Sequence, residues 1–250
     1  MSELEQLQRQ LTERFVRAFS TYGLLEDDDH VLVGLSGGKD SLLLLELLAR
    51  RARIGHPRYK VEAIHVRMQN ISYETSTEYL EHFCREEGVP LHVVTTQFEV
   101  GEQTCHSGRD ARRQKSPCFL CSWNRRKQMF NLAQQLGCNK IALGHHQDDI
   151  LDTTLMNLVF QGRFGTMPAR LQMKKMPLSI IRPLCMIKEM DIRRYAKLRG
   201  YEKQVKLCPY EHESHRTGIR QLFGQMEQMN PEVRSSLWNA LNVEGKLVEE

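Results

Sequence analysis

The 250-residue chain is 40% hydrophobic and 26% charged, the composition of a globular protein large enough for one sizeable domain. No apolar run approaches the ~20 residues that a membrane-spanning helix requires, and residues 1–15 are charged and amphipathic rather than apolar like a secretory signal. We therefore expect a cytoplasmic protein with no membrane partner. Seven cysteines in such a chain predict reduced thiols rather than a disulfide framework.

Segments of helix and strand pattern alternate along the chain. Apolar residues at helical spacing predict helices over residues 2–20, 41–53, 75–87, 119–136, 148–160 and 188–198, with a helical tail after residue 208. Short apolar runs predict strands over residues 31–35, 61–66, 91–96, 140–143 and 178–181. Five successive strand–helix alternations predict an α/β fold, a five-stranded parallel Rossmann-like sheet with helices on both faces.

Three polar segments lie at the ends of predicted strands: residues 36–41, 65–70 and 144–149. In an open parallel sheet, ligands bind beyond the carboxyl ends of the strands, where the connections diverge. We therefore expect the three segments to meet at one active site.

The first of these segments, residues 36–41, reads Ser-Gly-Gly-Lys-Asp-Ser and joins a strand to a helix. Glycines let the backbone approach an anion closely, and the unpaired N–H groups of a helix start favour phosphate. A Walker A loop is excluded, because Val33 stands where its first glycine would be and Asp40 where its Ser or Thr would be. The segment therefore predicts a phosphate-binding loop of another type.

Residues 144–149 form a second strand–glycine–helix junction, Gly-His-His-Gln-Asp-Asp. Asp148 and Asp149 at a helix start have an ordinary explanation as caps or partners of the helix dipole. Beside a triphosphate they also suit Mg²⁺, which takes one or two carboxylates together with substrate oxygens. We expect Asp149 to be the ligand before Asp148. His145 and His146 fit a core or supporting role equally well.

Cys118 and Cys121 form a C-x-x-C pair at a predicted helix start, where the helix terminus and neighbouring basic residues lower thiol pKa values. A thioredoxin-like redox pair is disfavoured, because the motif does not follow the first strand of a β-α-β unit. A zinc site usually needs four ligands, and Cys208 supplies only a third. An iron–sulfur cluster is the third interpretation, since thiolates are its usual ligands. Three other thiols are expected to be buried apolar side chains: Cys84, Cys138 and Cys185.

Basic side chains surround the cysteine pair. They are Arg109, Arg112, Arg113 and Lys115 before it, and Arg125, Arg126 and Lys127 after it. Each cluster alone is typical of a solvated surface. Several clusters around one cysteine pair indicate a surface that binds a polyanion such as a nucleic acid.

From about residue 3 to about residue 225 the sequence resembles the tRNA 2-thiocytidine synthetase family of the PP-loop ATP-pyrophosphatase superfamily. The matching strings are SGGKDS, the C-x-x-C pair before an arginine-rich helix, ALGHHQDDILDT, QGRFGTMPA, IRPL and the late Leu207-Cys208. The resemblance implies an adenine nucleotide alpha hydrolase-like sheet. It also implies three segments: an N-terminal helix (residues 1–25), a catalytic domain (26–205) and a C-terminal segment (206–250).

The resemblance further implies an activity and its cofactors. ATP with Mg²⁺ would adenylate cytidine 32 in the anticodon loop of a tRNA, and sulfur from a cysteine desulfurase would replace the C2 oxygen. Cys118, Cys121 and Cys208 would ligate a 4Fe-4S cluster that keeps one iron open. The ATP-binding residues would be Ser36, Gly37, Gly38, Lys39, Asp40, Ser41 and Gly144.

The residues assigned to catalysis are Asp40, Asp149 and Arg125, with Asp149 also as the magnesium ligand. Arg125 is included because related thiouridine enzymes place a catalytically important lysine at that distance from the second motif cysteine. The residues assigned to tRNA binding are Arg112, Arg113, Arg126 and Lys127. The number of copies in the assembly is left open, with a homodimer as one option.

Two alternatives stay open: a PP-loop ligase or sulfurtransferase acting on another nucleotide, and a non-catalytic iron–sulfur module that binds a nucleotide and senses redox state. The intact loop together with Asp148 and Asp149 argues against the second. The sequence also departs from the family pattern. Residues 65–70 lack the usual acidic residue, Gln147 stands where arginine is common, and Cys105 with His106 forms an extra pair in the basic loop.

Overall fold

The computed structural model describes residues 2–69, 72–73, 77–97, 117–202, 206–207 and 215–250. In chain order the elements are α1 (Glu3–Tyr22), β1 (Asp29–Gly34), α2 (Lys39–Ala52), β2 (Tyr59–Met68), β3 (Ser72–Tyr73), α3 (Glu78–Glu86), β4 (Leu91–Thr96), α4 (Pro117–Leu136), β5 (Lys140–Ala142), α5 (Gln147–Gln161), β6 (Arg170–Gln172), β7 (Ser179–Ile181), α6 (Glu189–Arg199), β8 (Lys206–Leu207), α7 (His215–Met229), α8 (Val233–Val243) and β9 (Val248–Glu249). Every predicted strand and helix has its counterpart among them.

Seven strands form the main sheet, in the order β4-β2-β1-β5-β7-β6-β9. The first five in this order run parallel, which confirms the predicted five-stranded parallel core. β6 then pairs antiparallel with β7, and β9 pairs parallel with β6. The sheet is therefore two strands wider than predicted, because β6 and β9 have only three and two residues, too few for a recognisable alternating pattern.

Both faces of the sheet are buried under helices, as the sequence predicts. Along β1, Val31 and Val33 join one buried cluster and Leu32 the other, since successive side chains of a strand point to opposite faces. The larger cluster contains side chains of α1, α2, α3, α5, α6, α7 and α8. α4 covers the opposite face with Leu120 and Ala133.

The two ends of the chain share the central core. Leu11 of α1, Leu43 of α2 and Leu241 of α8 lie in one buried cluster, and β9 lies at one edge of the main sheet. The first and last segments therefore pack into the same core as the middle one, and the division into residues 1–25, 26–205 and 206–250 stays a prediction. None of the described helices is long and apolar enough to cross a membrane.

A second, two-stranded sheet pairs β3 with β8 in antiparallel orientation, with Ser72 opposite Leu207. β3 follows the carboxyl end of β2 within a few residues. The chain at Leu207 is therefore held near the carboxyl edge of the main sheet, where the polar segments lie.

Candidate active site

A cavity of about 350 Å³ opens at the carboxyl edge of the main sheet. Its walls come from the ends of β1, β2 and β5, from the β1–α2 loop, from the start of α5, and from α4 and α7. Each of the three polar segments contributes side chains to it, among them Asp40, His65 and Asp149. The convergence expected from the sequence is thus confirmed.

Residues 36–41 make a tight turn between β1 and α2. Gly37 has a φ of +83°, in the left-handed region that residues with side chains rarely adopt. The Ser36 N–H donates to Ser41 Oγ at 3.1 Å, and the two Oγ atoms are also 3.1 Å apart. Ser41 Oγ donates to the Gly38 carbonyl at 2.9 Å. These contacts hold both hydroxyls at the cavity wall, beside the first N–H groups of α2.

Gly144 brings the β5–α5 junction into contact with this turn. A methyl group at its Cα would lie 3.0 Å from the carbonyl carbon of Asp40, 3.1 Å from the carbonyl oxygen of Asp40 and 3.1 Å from the amide nitrogen of Ser41. These distances are shorter than ordinary contacts between heavy atoms, about 3.5–4.0 Å. The two junctions therefore pack this closely only with glycine at position 144.

His146 links carboxylates from the two junctions. It is buried at the start of α5, and its Nε2 lies 3.4 Å from Asp149 Oδ2 and 3.8 Å from Asp40 Oδ1. The backbone N–H of His146 donates to Asp149 Oδ2 at 3.2 Å. Both carboxylates line the cavity, and two carboxylates with substrate phosphate oxygens suit Mg²⁺. In the part of the chain that the structure describes, no group of three or more His, Cys, Asp or Glu side chains forms a metal site by itself.

Asp148 is engaged elsewhere. Its Oδ2 accepts a hydrogen bond from the backbone N–H of Glu189 at 2.7 Å, and its Oδ1 lies 3.0 Å from Arg234 Nη1. Asp148 therefore ties α5 to α6 and α8, and it is Asp149 that lines the cavity.

Lys39 is not among the residues that line this cavity. Its Nζ lies 3.0 Å from Asp40 Oδ1 and 3.1 Å from Glu189 Oε1, beside a second cavity of about 510 Å³. Burial alone would raise the pKa of Glu189, but Lys39, Arg193 and Arg220 outweigh it and lower this pKa to about 2. The positive charge of Lys39 is thus matched by two carboxylates within the protein.

Arginines of the C-terminal helices reach the start of α5. Arg216 Nη1, in the first turn of α7, lies 3.5 Å from Asp149 Oδ1. Arg220 Nε, one turn later, lies 3.1 Å from Asp152 Oδ2. Arg216, Arg220 and Arg234 were not predicted from the sequence, because their contacts depend on how α7 and α8 pack against α5. No local motif could have marked them.

His145 is a neutral group in the cavity wall. Burial, together with the positive charge of Arg182, lowers the pKa of His145 to about 4. Burial also lowers the pKa of Arg182 to about 10, so Arg182 stays charged at neutral pH. His145 therefore adds hydrogen-bonding capacity but no positive charge to the cavity at neutral pH.

The cysteine pair lies in the first turns of α4, with Cys118 exposed and Cys121 half-buried. α4 runs back along the sheet to β5, so it begins at the carboxyl edge. β8 is held at the same edge by β3, which places the chain preceding Cys208 there. Cys208 lies outside the described residues, as do Arg112 and Arg113. The described positions fit a site that three thiolates would share.

The other described thiols are buried, as predicted from the sequence. Burial raises the pKa of Cys84 to about 12, of Cys138 to about 11 and of Cys185 to about 12. At neutral pH these thiols are protonated and unsuited to metal binding, which needs the thiolate. The contrast with the accessible pair on α4 separates structural from candidate functional cysteines.

α4 also presents basic and aromatic side chains. Arg125 lines the cavity, whereas Arg126 and Lys127 are exposed. Trp123 is 43% exposed, and Lys127 Nζ lies 5.4 Å from the centre of its ring. Exposed aromatic rings beside cations are typical of surfaces that bind unpaired bases. Trp123 was not singled out from the sequence, because one tryptophan on a helix is equally compatible with the core.

Comparison with known proteins identifies the family of this chain. The model of the PP-loop domain family matches residues 4–223. The chain is 30% identical over 241 residues to tRNA-cytidine(32) 2-sulfurtransferase 1 of Francisella tularensis subsp. novicida, covering 96% of this chain and 87% of that protein. It is 32% identical over 242 residues to the tRNA-cytidine(32) 2-sulfurtransferase of Methylococcus capsulatus, covering 96% and 81%.

Among solved structures, the chain is similar to the U34-tRNA thiolase NcsA from Methanococcus maripaludis with its 4Fe-4S cluster. The TM-score is 0.74 at 23% sequence identity, over 96% of this chain and 78% of that one. This likeness establishes the same fold, in agreement with the sheet order and the helices on both faces.

Proposed function

We propose that this chain catalyses ATP-dependent thiolation of cytidine 32 in tRNA. The chain belongs to the PP-loop domain family and, within it, to the tRNA-cytidine(32) 2-sulfurtransferases. One observation carries the proposal: Ser36, Asp40 and Ser41 of the loop, Asp149 and Arg125, assigned from separate parts of the sequence, line a single cavity. Its volume of about 350 Å³ is that of a small-molecule site.

The residues that line this cavity suggest how ATP would bind. The turn at residues 36–41 and the start of α2 offer hydroxyl and N–H donors for the phosphates. Apolar side chains that line the same cavity suit the adenine ring; they are Leu35, Ile64, Val66, Met129 and Leu143. The carboxylates of Asp40 and Asp149 would hold Mg²⁺ against the phosphate oxygens. Arg125 lines the same cavity from α4, on the side of the cysteine pair.

The reaction divides into two displacements. In the first, the O2 atom of the cytosine attacks the α phosphate, a new O–P bond forms, and pyrophosphate leaves with the electrons of the broken P–O bond. In the second, a sulfide attacks C2, the C–S bond forms, and AMP leaves with the former O2. Negative charge grows on the phosphates in both steps, so fixed donors at the turn and the guanidinium of Arg125 stabilise the transition states.

The sulfur side of the site is assigned to the α4 pair. Cys118 and Cys121, with Cys208, would hold a 4Fe-4S cluster, and the cluster when bound would supply sulfur to the activated base. Support comes from the accessibility of Cys118 and from the position of β8 beside β3 at the same sheet edge. A cysteine desulfurase is the proposed source of the sulfur, and a thiol reductant would supply the two electrons that convert its persulfide sulfur to sulfide.

RNA binding is assigned to the exposed face of α4. Arg126 and Lys127 would contact backbone phosphates, and Trp123 offers a ring on which an unpaired base can stack. The target base must leave its stack to reach the cavity. Arg112 and Arg113 remain predictions, since they lie outside the described residues.

The decisive experiment is nucleoside analysis of tRNA from a strain that lacks this protein, complemented with variants. We expect 2-thiocytidine to disappear and to return with the wild-type gene. Asp40→Ala should not restore it, whereas Glu13→Ala, on the exposed face of α1, should restore it fully. Loss of a different thionucleoside would favour the alternative of a PP-loop enzyme for another base, and an unchanged nucleoside profile would refute a role in tRNA thiolation.

A further inference from the structure

The candidate ATP cavity needs positive charge that its loop does not supply. ATP brings several negative charges, yet the Lys39 ammonium is engaged with Asp40 and Glu189 beside the other cavity. His145 is neutral at physiological pH, because burial and Arg182 lower its pKa to about 4. Among the described lining residues, the permanent positive charges are those of Arg125 and Arg216.

Arg216 is held loosely enough to change partners. Its Nη1 lies 3.5 Å from Asp149 Oδ1, longer than a normal charge-assisted hydrogen bond of about 2.7–2.9 Å. The side chain is also 42% exposed, at the mouth of the cavity. A guanidinium so placed can turn to phosphate oxygens, which it binds with two parallel N–H groups.

Other side chains of α7 hold the helix against the rest of the fold. Arg220, on the same side of the helix one turn later, lies 3.1 Å from Asp152 Oδ2 and 3.5 Å from Glu189 Oε2. Ile219 and Phe223 bury their side chains in the main core. The Arg216 side chain is thus available for a ligand while the rest of α7 secures the helix.

We propose that Arg216 binds the phosphate chain of ATP, exchanging the Asp149 carboxylate for phosphate oxygens when the nucleotide enters. The exchange places a guanidinium on the departing pyrophosphate and leaves the Asp149 carboxylate available to a cation. This inference rests on the proposed function of the cavity as the ATP site. It makes the C-terminal segment a direct contributor to phosphate binding.

The test compares Arg216→Ala, Arg216→Lys and the matched control Arg220→Ala in the full-length protein. Calorimetric titrations use ATP, inorganic pyrophosphate and adenosine. Loss of a charge-assisted contact should weaken ATP and pyrophosphate by about 10- to 100-fold in Arg216→Ala and leave adenosine unchanged. Arg216→Lys should recover part of the loss, since it keeps the charge but not the planar fork. Arg220→Ala should lower the unfolding temperature while its ATP affinity stays near wild type.

Several outcomes would overturn the inference. One is wild-type ATP affinity in Arg216→Ala. Another is an equal loss for ATP and adenosine, or the same loss in Arg220→Ala, since either would mean that Arg216 acts through the docking of α7. If Arg216→Ala does not fold, wild-type ATP and pyrophosphate affinities in Arg216→Lys overturn it equally. Failure of the wild-type protein to bind ATP and pyrophosphate would instead refute the proposed ATP site itself.

Discussion

Replacing Gly144 by alanine tests whether the two loop junctions must touch. The added methyl group would lie 3.0–3.1 Å from three backbone atoms of Asp40 and Ser41, so the turn must move by roughly 0.5 Å to reach ordinary contact. Overpacking of this kind costs about 1–3 kcal/mol. If the turn absorbs all of it, ATP affinity falls about 5- to 150-fold; if the whole fold absorbs it, the melting temperature falls by roughly 2–12 °C.

Calorimetric ATP titration measures the part of this free-energy cost that the turn absorbs, and thermal unfolding measures the part that the whole fold absorbs. The matched control is Gly165→Ala, a loop glycine with nothing within 4 Å of the added methyl group and no left-handed φ. Gly165→Ala should bind ATP and unfold like wild type. If Gly144→Ala behaves like this control in both measurements, the close approach of the β5–α5 junction has no energetic consequence and the reasoning is wrong.

Three further predictions concern the metal, the RNA and a half-buried ion pair. After anaerobic purification, the Cys118→Ser and Cys121→Ser variants should each lose most of the bound iron. The control variant Cys84→Ser, which alters a buried thiol, should retain its iron. Equal iron content in all three variants would contradict the cluster assignment. Binding of tRNA should weaken steeply with increasing salt, and Arg126→Ala should reduce the slope of log affinity against log salt concentration by about one. An unchanged slope would mean that Arg126 is a solvated surface charge that does not contact the RNA. The folded pKa of Glu189, about 2, is below its ordinary 4.5, so its charge stabilises the fold above pH 4.5 and this contribution is lost as the pH falls toward 2. The difference in free energy of unfolding between wild type and Glu189→Gln should therefore shrink over that range, and a pH-independent difference contradicts the pairing.

The parts of the site that the sequence predicted are those fixed by local constraints. Residues 36–41 need glycine for a left-handed turn and a helix start for phosphate, and both requirements are visible in six letters. Residues 144–149 repeat the strand–glycine–helix pattern, so their meeting with the first turn followed from the topology of a parallel sheet. The preference for Asp149 over Asp148 as the ligand agrees with the engagement of Asp148 by Glu189 and Arg234.

The parts that the sequence did not predict depend on packing between distant segments. Lys39 belongs to the loop motif, yet its ammonium pairs with Glu189 of α6 beside another cavity. No sequence feature near Lys39 predicts that partner. β6 and β9 exist because a neighbouring strand edge is available to them, since their own two or three residues carry no pattern. Arg216 is one of many arginines in the sequence and differs from them only by where α7 packs.

The C-terminal segment contributes to both the proposed ATP site and the proposed cluster site. The start of α5 carries three carboxylates within little more than one helical turn, and like charges so close destabilise a helix unless they are paired. Each has an arginine from α7 or α8: Asp148 with Arg234, Asp149 with Arg216 and Asp152 with Arg220. In the sequence, Cys208 lies between β8, which pairs with β3, and α7, whose first turn reaches the proposed ATP cavity. Because both flanking elements are held at the carboxyl edge, the segment that would supply the third thiolate would also supply the arginine proposed to bind the nucleotide.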